Sequence, residues 1–380
     1  MKQTKLTLGL CMALSLFGAC GTEDNPLSQK PETPGTEKPL EPESPDNRPV
    51  WTFDVKVMLD RKTYETHYSA DPSIVKDKLG YIFKRANELY HGKKDVVYFD
   101  ADVVFNPIFK AEYVYDESSE LLFERFRDDK RKELREGYPY LVIIDGCIGD
   151  HENERTHTDY TPWGSEVVCM FDNNNGAADA GQSVYAILSQ YKTAEAFAHE
   201  LGHGRGVPDI YGMAVTSNEV NGERFSPITC IMNNCWGGDS WSEYSQLLIN
   251  RNKDIVPDDS GAFHALDEPE YPRDIFFKAT LAGQPLAGAC INVYKSRIYD
   301  NTIKAQVQHT ATLTDEGTCK ISSGELFGTC GNGPQYGVVL MEVVDANGGS
   351  KYYQFVPAYD AQVAFLKGEQ TSYTVEMAFK

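Results

Sequence analysis

The chain has 380 residues, of which 41% are hydrophobic and 12% aromatic, and its formal net charge at pH 7 is −20. This composition is typical of a protein that is folded for most of its length, and the length suits about two domains with additional segments. A strongly acidic chain argues against nucleic-acid phosphates and against an anionic lipid surface as electrostatic partners.

The first twenty residues predict an export signal. Two lysines precede an apolar run over residues 6–17, and small residues follow it. This order is that of a secretory signal peptide, and the run is too short for a membrane span. The ending Leu16-Phe17-Gly18-Ala19-Cys20 resembles the lipobox of bacterial lipoproteins. The resemblance implies acylation of Cys20 and a lipid-anchored position in the cell envelope, at the outer membrane; an ordinary cleaved signal is the alternative. The acidic residues in Gly21-Thr22-Glu23-Asp24 resemble the export tag of some surface-exposed lipoproteins, and the periplasmic and outward orientations both stay open.

The next segment, residues 21–48, predicts a tether. It is rich in Pro, Glu, Ser and Thr, and Leu27 and Leu40 are its only large apolar residues. Such a segment cannot bury enough apolar surface to fold, and its prolines favour an extended chain. We therefore expect a lipoprotein signal over 1–20, a disordered tether over 21–48, a first folded domain over 49–260 and a second over 261–380.

Helices and strands alternate in the first predicted domain. Residues 53–59 predict a strand. Asp71 and Pro72 predict the N-cap and first residue of a helix, because apolar residues recur at helical spacing over 73–90. The other predicted elements are strands over 96–106, 138–144 and 166–171 and helices over 118–136 and 242–255.

Two further features of this domain leave alternatives open. The segment Asp172-Asn173-Asn174-Asn175-Gly176 offers oxygen ligands to a Ca²⁺ ion, but it does not follow the EF-hand pattern, and a solvated turn is the simpler interpretation. The chain has nine cysteines. An exported protein can form disulfides, but the spacing of the cysteines does not determine which would pair.

From about residue 262 onward, short strand-like runs recur between turn-rich clusters, a pattern typical of a β-sandwich. The phrases over 283–289 and 314–317 resemble those of immunoglobulin-like and carboxypeptidase-regulatory-like accessory modules. We therefore predict an all-β sandwich over 261–380. Its expected strands are 274–281, 289–296, 305–313, 318–322, 336–345, 351–357, 361–368 and 372–379.

The stretch TAEAFAHELGHGRGVPDIYG, residues 193–212, carries the clearest chemical signal of the chain. His199, Glu200 and His203 have the spacing H-E-x-x-H. On a helix this spacing places both imidazoles on one face, about one turn apart. The arrangement suits a Zn²⁺ ion held by two histidines, with Glu200 as a general base. A helix with two surface histidines and no metal is the alternative.

The residues around His203 also predict that this helix ends abruptly. Glycines occur at alternate positions up to Gly206, and Pro208 prevents the helix from resuming at once. The resulting turn can carry Asp209 back toward the two histidines, and a carboxylate oxygen is an accepted zinc ligand. The sequence therefore offers Asp209 as a third ligand.

The complete pattern H-E-x-x-H-x-x-G-x-x-D over residues 199–209 resembles the metzincin clan of zinc metallopeptidases, in its snapalysin-like variant. Most of the clan has His at the last position, so Asp209 departs from the majority. The clan also has a methionine turn beneath the metal, which Met232 in the segment 230–233 resembles. The resemblance covers about residues 51–255. It implies an α+β, zincin-like fold with a mixed sheet and an active-site helix.

The resemblance also implies an activity: zinc-dependent hydrolysis of peptide bonds in extracellular proteins, most simply by a monomeric endopeptidase. In that activity Glu200 would be the general base toward a zinc-activated water, and Met232 would support the ligands from below. Membrane contact would come only through the lipid anchor. The zinc ligands would be His199, His203 and Asp209.

Other roles remain open at this stage. The strand before the active-site helix, 166–171, would pair with extended substrate. Tyr211 and Tyr244 are candidates for stabilising the oxyanion, although core packing is an alternative role for both. Another zincin group takes its third ligand from a later helix, where Glu243 stands in this chain. A non-catalytic adhesion or scaffold lipoprotein with a structural metal site is the competing function.

Overall fold

A computed structural model describes residues 48–91, 99–116, 136–146, 165–170, 183–187, 198–199, 201–233, 240–253, 270–328 and 335–380. These residues belong to one compact unit, Pro42–Lys380. Several expectations fall outside the described ranges: the lipidation of Cys20, most of the tether, the helix over 118–136, the candidate Ca²⁺ segment and the boundary near residue 260. Glu200 also lies outside them.

A six-stranded sheet organises the first half of the described chain. Its strand order is β2-β1-β4-β5-β6, and β3 also pairs with β1. β2, β3 and β4 run parallel to β1, whereas β5 and β6 are antiparallel to their neighbours. The elements are β1 (Val50–Asp60), α1 (Arg61–Thr66), α2 (Pro72–Leu89), β2 (Asp102–Ile108), β3 (Val114–Tyr115), β4 (Tyr140–Gly146), β5 (Ser165–Met170) and β6 (Ser183–Ile187).

The predicted helix α2 is confirmed together with its cap. The Asp71 side chain accepts a hydrogen bond from Ser73 N at 2.8 Å, and Pro72 is the first helical residue. Asn87 then ties the helix to β2, because its side chain both donates to Phe105 O and accepts from Phe105 N at 3.0 Å. The helix thus covers one face of the sheet.

The strand β6 was not expected from the sequence, and it changes the edge of the sheet. β5 pairs with β4 on one side and with β6 on the other. The prediction that strand 166–171 would pair with substrate is therefore wrong, because both sides of that strand are already hydrogen-bonded. Within the described residues, β6 pairs on one side only.

The second half of the described chain contains two four-stranded sheets. One has the order β12-β10-β14-β15, and the other has the order β13-β8-β16 with β9 beside β8. Apolar side chains from both sheets form one buried cluster. The elements are β7 (Ser217–Asn218), α3 (Glu243–Arg251), β8 (Asp274–Leu281), β9 (Gln284–Pro285), β10 (Cys290–Arg297), β11 (Thr302–Ile303), β12 (His309–Thr312), β13 (Thr318–Ser322), α4 (Ser323–Phe327), β14 (Tyr336–Val344), β15 (Lys351–Pro357), α5 (Ala358–Leu366) and β16 (Ser372–Phe379).

The prediction that residues 261–380 are all-β is wrong, because this region includes the short helices α4 and α5. The strand predicted over 361–368 is wrong, since α5 spans Ala358–Leu366. Its alanines and leucine are good helix formers, and its buried side chains recur at helical rather than alternating spacing. The buried residues are Ala358, Tyr359, Ala361, Gln362 and Ala364.

The two halves share a hydrophobic core. The cluster that contains the β1 side chains and the segment from Cys230 to Met232 also contains Tyr294, Ile303, Val338 and Leu340 from the later strands. The protein is thus a mixed α+β structure with several sheets and few helices, which agrees with the predicted class at that level. No helix among the described residues is long and apolar enough to cross a membrane.

Candidate metal centre

The helix that carries the two histidines ends at a glycine, as the sequence predicts. Val207 N donates to Gly202 O at 3.1 Å, and Gly206 N donates to His203 O at 2.8 Å. This pair of bonds is the Schellman arrangement. It places Gly206 at φ +80°, in a region that glycine enters without steric conflict. The chain therefore reverses one turn after His203.

The reversal brings Asp209 to both histidines. Asp209 Oδ1 lies 3.2 Å from His199 Nε2 and 3.3 Å from His203 Nε2. The two imidazole rings are 4.9 Å apart between centroids. All three side chains are buried, and each offers one ligand atom within 4.8 Å of the others. The structure thus brings together the three residues that the sequence offers as ligands.

The other ring nitrogens fix the orientation of the imidazoles. His199 Nδ1 lies 3.0 Å from Ile231 O, and His203 Nδ1 lies 2.8 Å from Val207 O. A carbonyl oxygen can only accept a hydrogen bond, so each Nδ1 carries the proton. In the neutral imidazoles each Nε2 then presents a lone pair toward Asp209. This hydrogen bonding of the distal nitrogen is typical of metal-binding histidines.

The surroundings of Asp209 Oδ1 fit a cation. This atom is buried and has no hydrogen-bond partner within the described part of the chain. Burial alone would raise the pKa of Asp209, but the imidazoles of His203 and His199, when charged, hold that pKa well below its usual range. Two imidazole nitrogens and one carboxylate oxygen are also the donor set that zinc accepts.

Two tyrosines hold the second oxygen of Asp209. Tyr211 Oη donates to Asp209 Oδ2 at 2.8 Å, and Tyr299 Oη donates to the same atom at 2.6 Å. The Tyr211 ring is nearly parallel to that of His199, at 12° and 6.5 Å. Tyr211 is 45% exposed and Tyr299 is 56% exposed. Tyr299 was not expected from the sequence, since it lies 90 positions beyond Asp209.

Met232 lies in a turn directly below the helix of the histidines. Its side chain is fully buried, and its carbonyl accepts a hydrogen bond from Ile210 N at 3.0 Å. A Cβ added at Gly202 would lie 3.0 Å from Met232 Sδ and 2.9 Å from the Trp241 ring. Gly202 therefore allows both side chains to pack against the helix. The role of Met232 as a methionine turn stays a prediction.

A buried arginine fixes the turn that follows His203. Arg205 Nη1 donates to Tyr140 Oη at 3.1 Å, and Arg205 Nη2 donates to Asn252 O. Asn252 Nδ2 donates back to Arg205 O at 2.8 Å, and Tyr140 Oη donates to Gly204 O at 2.8 Å. The guanidinium also lies 4.3 Å from the centre of the Phe53 ring. The turn is thus tied to β1, to β4 and to the end of α3.

The structure places two other candidates away from this group. Glu243 Oε1 forms an ion pair with Lys367 Nζ at 2.6 Å, and it is not part of the His199–His203–Asp209 group. Tyr244 is a buried member of the hydrophobic core. Burial raises the pKa of its hydroxyl. Core packing is therefore the role of Tyr244.

Comparison of the chain with models of known protein families gives no match, and comparison with curated proteins gives no significant match. The chemical interpretation of the site therefore depends on its geometry and on the sequence pattern. Both concern the same three residues, which lie at most ten positions apart along the chain and share one buried space.

Proposed function

We propose that this chain is a zinc-dependent peptidase of metzincin type that hydrolyses peptide bonds of extracellular proteins. The observation that carries the proposal is the convergence of His199 Nε2, His203 Nε2 and Asp209 Oδ1 in one buried group. Catalytic zinc sites typically have three protein ligands and leave a position for water or substrate, whereas structural sites typically have four. The proposal includes a zincin-like fold for the first half of the chain.

The chain's own residues would divide the work of hydrolysis. A zinc ion held by the three ligands would supply Lewis acidity, and it would lower the pKa of a bound water toward about 7. Glu200 would accept a proton from the attacking water at its carboxylate and return it to the leaving amine. Tyr211, which is 45% exposed, is the candidate donor to the oxyanion, and its hydroxyl would then turn away from Asp209 Oδ2.

The substrate would bind as an extended peptide along β6. This strand pairs antiparallel with β5, and its other side has no partner strand within the described residues. An open strand edge recognises peptides through backbone hydrogen bonds and therefore tolerates many sequences. We further propose that a lipid at Cys20 anchors the protein to the outer membrane, and that the later strands form an immunoglobulin-like accessory module.

A second candidate function is a non-catalytic adhesion or scaffold lipoprotein. The burial of all three ligand residues, at 4%, 8% and 7% exposure for His199, His203 and Asp209, favours a structural metal site over an open one. The two functions differ in what they require of Glu200. A structural site has no use for a carboxylate as a general base, whereas hydrolysis depends on it.

The decisive test compares zinc-loaded full-length wild type with Glu200→Gln on a broad peptide library. We expect the substitution to keep bound zinc and to slow hydrolysis by about 10²–10⁴-fold, the usual contribution of a general base. Glu243→Gln is the matched control, because this glutamate pairs with Lys367 away from the site. It should cleave at the wild-type rate. Equal rates for wild type and Glu200→Gln, or an intact library with both, would contradict the proposed function.

A further inference from the structure

The connection between β10 and β11 packs against the segment that follows Asp209. Tyr299 N donates to Gly212 O at 2.8 Å, and Thr216 N donates to Asn301 O at 2.9 Å. β11 extends the contact by pairing in parallel with β7. The later half of the chain thus holds the segment that carries the third candidate ligand.

Tyr299 occupies a space that a glycine leaves open. A Cβ added at Gly212 would lie 2.9 Å from Tyr299 Cε1 and 3.0 Å from Tyr299 Cδ1. The backbone of Tyr299 has φ +66°, which is uncommon for an aromatic residue. Such conformations persist where the surroundings impose them, and they are enriched at functional sites. Here the conformation directs the phenol toward Asp209.

The Tyr299 hydroxyl controls the orientation of the Asp209 carboxylate. It donates to Oδ2 at 2.6 Å. Because a carboxylate is planar, fixing Oδ2 also fixes the direction of Oδ1, which faces His199 Nε2 and His203 Nε2. We propose that Tyr299 is a positioning residue that presents Asp209 Oδ1 to a metal ion. This inference rests on the proposed function, because it assumes that the three residues bind a metal.

Tyr211 donates to the same oxygen but cannot supply the same constraint. It is two residues from Asp209, so it moves with the ligand that it contacts. Tyr299 belongs to a connection between strands of the other half of the chain. It therefore holds Asp209 against residues that do not belong to the turn of Asp209 itself. Metal affinity should accordingly depend on a residue from the predicted accessory module.

The test measures zinc affinity of the metal-free full chain by competition with a chromophoric chelator. We expect Tyr299→Phe to weaken zinc binding about 10-fold, at the lower end of the loss seen when a partner of a metal ligand is removed. The visible absorption of the Co²⁺-substituted protein should also shift. Tyr353→Phe is the control, because its hydroxyl donates to another carboxylate, Glu342 Oε2, at 2.9 Å. It should match wild type in both measurements.

The outcomes separate this inference from the proposed function. Unchanged zinc affinity and Co²⁺ absorption in Tyr299→Phe would overturn the positioning role, while library cleavage by the wild type would still support the peptidase. An equal loss of affinity in Tyr353→Phe would also overturn it, because the effect would then be a general loosening. A wild type that binds no zinc would overturn the proposed function and this inference with it. Circular dichroism confirms that each variant is folded.

Discussion

Asp209 and Glu342 are both buried carboxylates, at 7% and 2% exposure, yet their surroundings differ. Within the described ranges, the hydrogen bonds to Asp209 fall on Oδ2, while Oδ1 faces two imidazole nitrogens. Glu342 receives donors on both oxygens: Asn292 Nδ2 at 2.8 Å and Tyr294 Oη at 3.4 Å on Oε1, and Tyr353 Oη at 2.9 Å and Lys351 Nζ at 3.1 Å on Oε2.

The difference separates a structural carboxylate from a candidate ligand. A buried charge is stable when donors satisfy both of its oxygens, and Glu342 meets that condition across its sheet. Asp209 keeps one oxygen directed at the Nε2 atoms of His199 and His203, and a cation bound to all three atoms would stabilise this arrangement. Removing the Glu342 carboxylate should therefore reduce the stability of the fold without affecting metal binding. Removing one of the three candidate ligands should abolish metal binding and have a smaller effect on stability.

The largest expected effect is at the histidines. His203→Ala removes one of three ligand atoms, so stoichiometric zinc and peptide hydrolysis should both fall to background, because the remaining pair cannot complete the site. Elemental analysis and library cleavage measure the two losses. The control is His67→Ala, at an exposed position after α1. It should retain both the bound zinc and the peptide hydrolysis. Zinc retained at the wild-type level in His203→Ala would show that the metal binds elsewhere.

Glu342→Ala should give the largest loss of stability with no loss of zinc. It leaves the hydrogen-bond donors around Glu342 without their acceptor, and we expect a decrease in the free energy of unfolding of about 3 kcal/mol. Urea denaturation followed by circular dichroism measures this change. Zinc affinity should equal that of wild type. A weakened affinity would mean that the two carboxylates are not independent.

The same carboxylate predicts a pH dependence. Burial alone would raise the pKa of Glu342, but hydrogen bonds from Asn292, Tyr353 and Lys351 hold it below its ordinary value of 4.5. A lowered folded-state pKa contributes stability above the ordinary value, and this contribution is lost as pH falls through the folded-state pKa. Wild type should therefore lose more stability below about pH 4.5 than Glu342→Gln does. If the free energy of unfolding fell by the same amount in wild type and in Glu342→Gln as the pH is lowered, the prediction would be contradicted.

The smallest expected effect is at Gly212. An alanine there would push the Tyr299 ring, which is 2.9 Å from the added Cβ, away from Asp209. Tyr299 is exposed enough to move, so stability should change by less than about 1 kcal/mol, while zinc affinity falls a few-fold. Gly80→Ala is the control, because Gly80 is a helical residue of α2 and an added Cβ there would meet no atom within 4 Å. Gly80→Ala should leave zinc affinity unchanged.

Local signals in the sequence predicted the parts of the structure that depend on neighbouring residues. Asp71 and Pro72 mark the start of α2, and Gly206 marks the end of the histidine helix, because caps and glycine conformations involve only a few consecutive residues. The return of Asp209 follows from the same break. These features define the three candidate ligands without knowledge of the rest of the fold.

Features that depend on distant contacts were not predicted. Strand β6 is short, and it is recognised through its pairing with β5, beyond which no further strand lies in the described part of the chain. Residues 361–368 have strand-like composition at Val363 and Phe365, but packing of α5 against α3 favours a helix. Tyr299 lies in a turn-rich connection whose sequence carries no sign of a metal site. Its role follows from where the later strands place it.

The most direct measurement is an anomalous difference map, at the zinc absorption edge, from crystals of the full chain grown with Zn²⁺. We expect one strong peak bounded by His199 Nε2, His203 Nε2 and Asp209 Oδ1. A peak at other residues, or direct ion pairs between Asp209 and the two imidazoles with no peak between them, would contradict it.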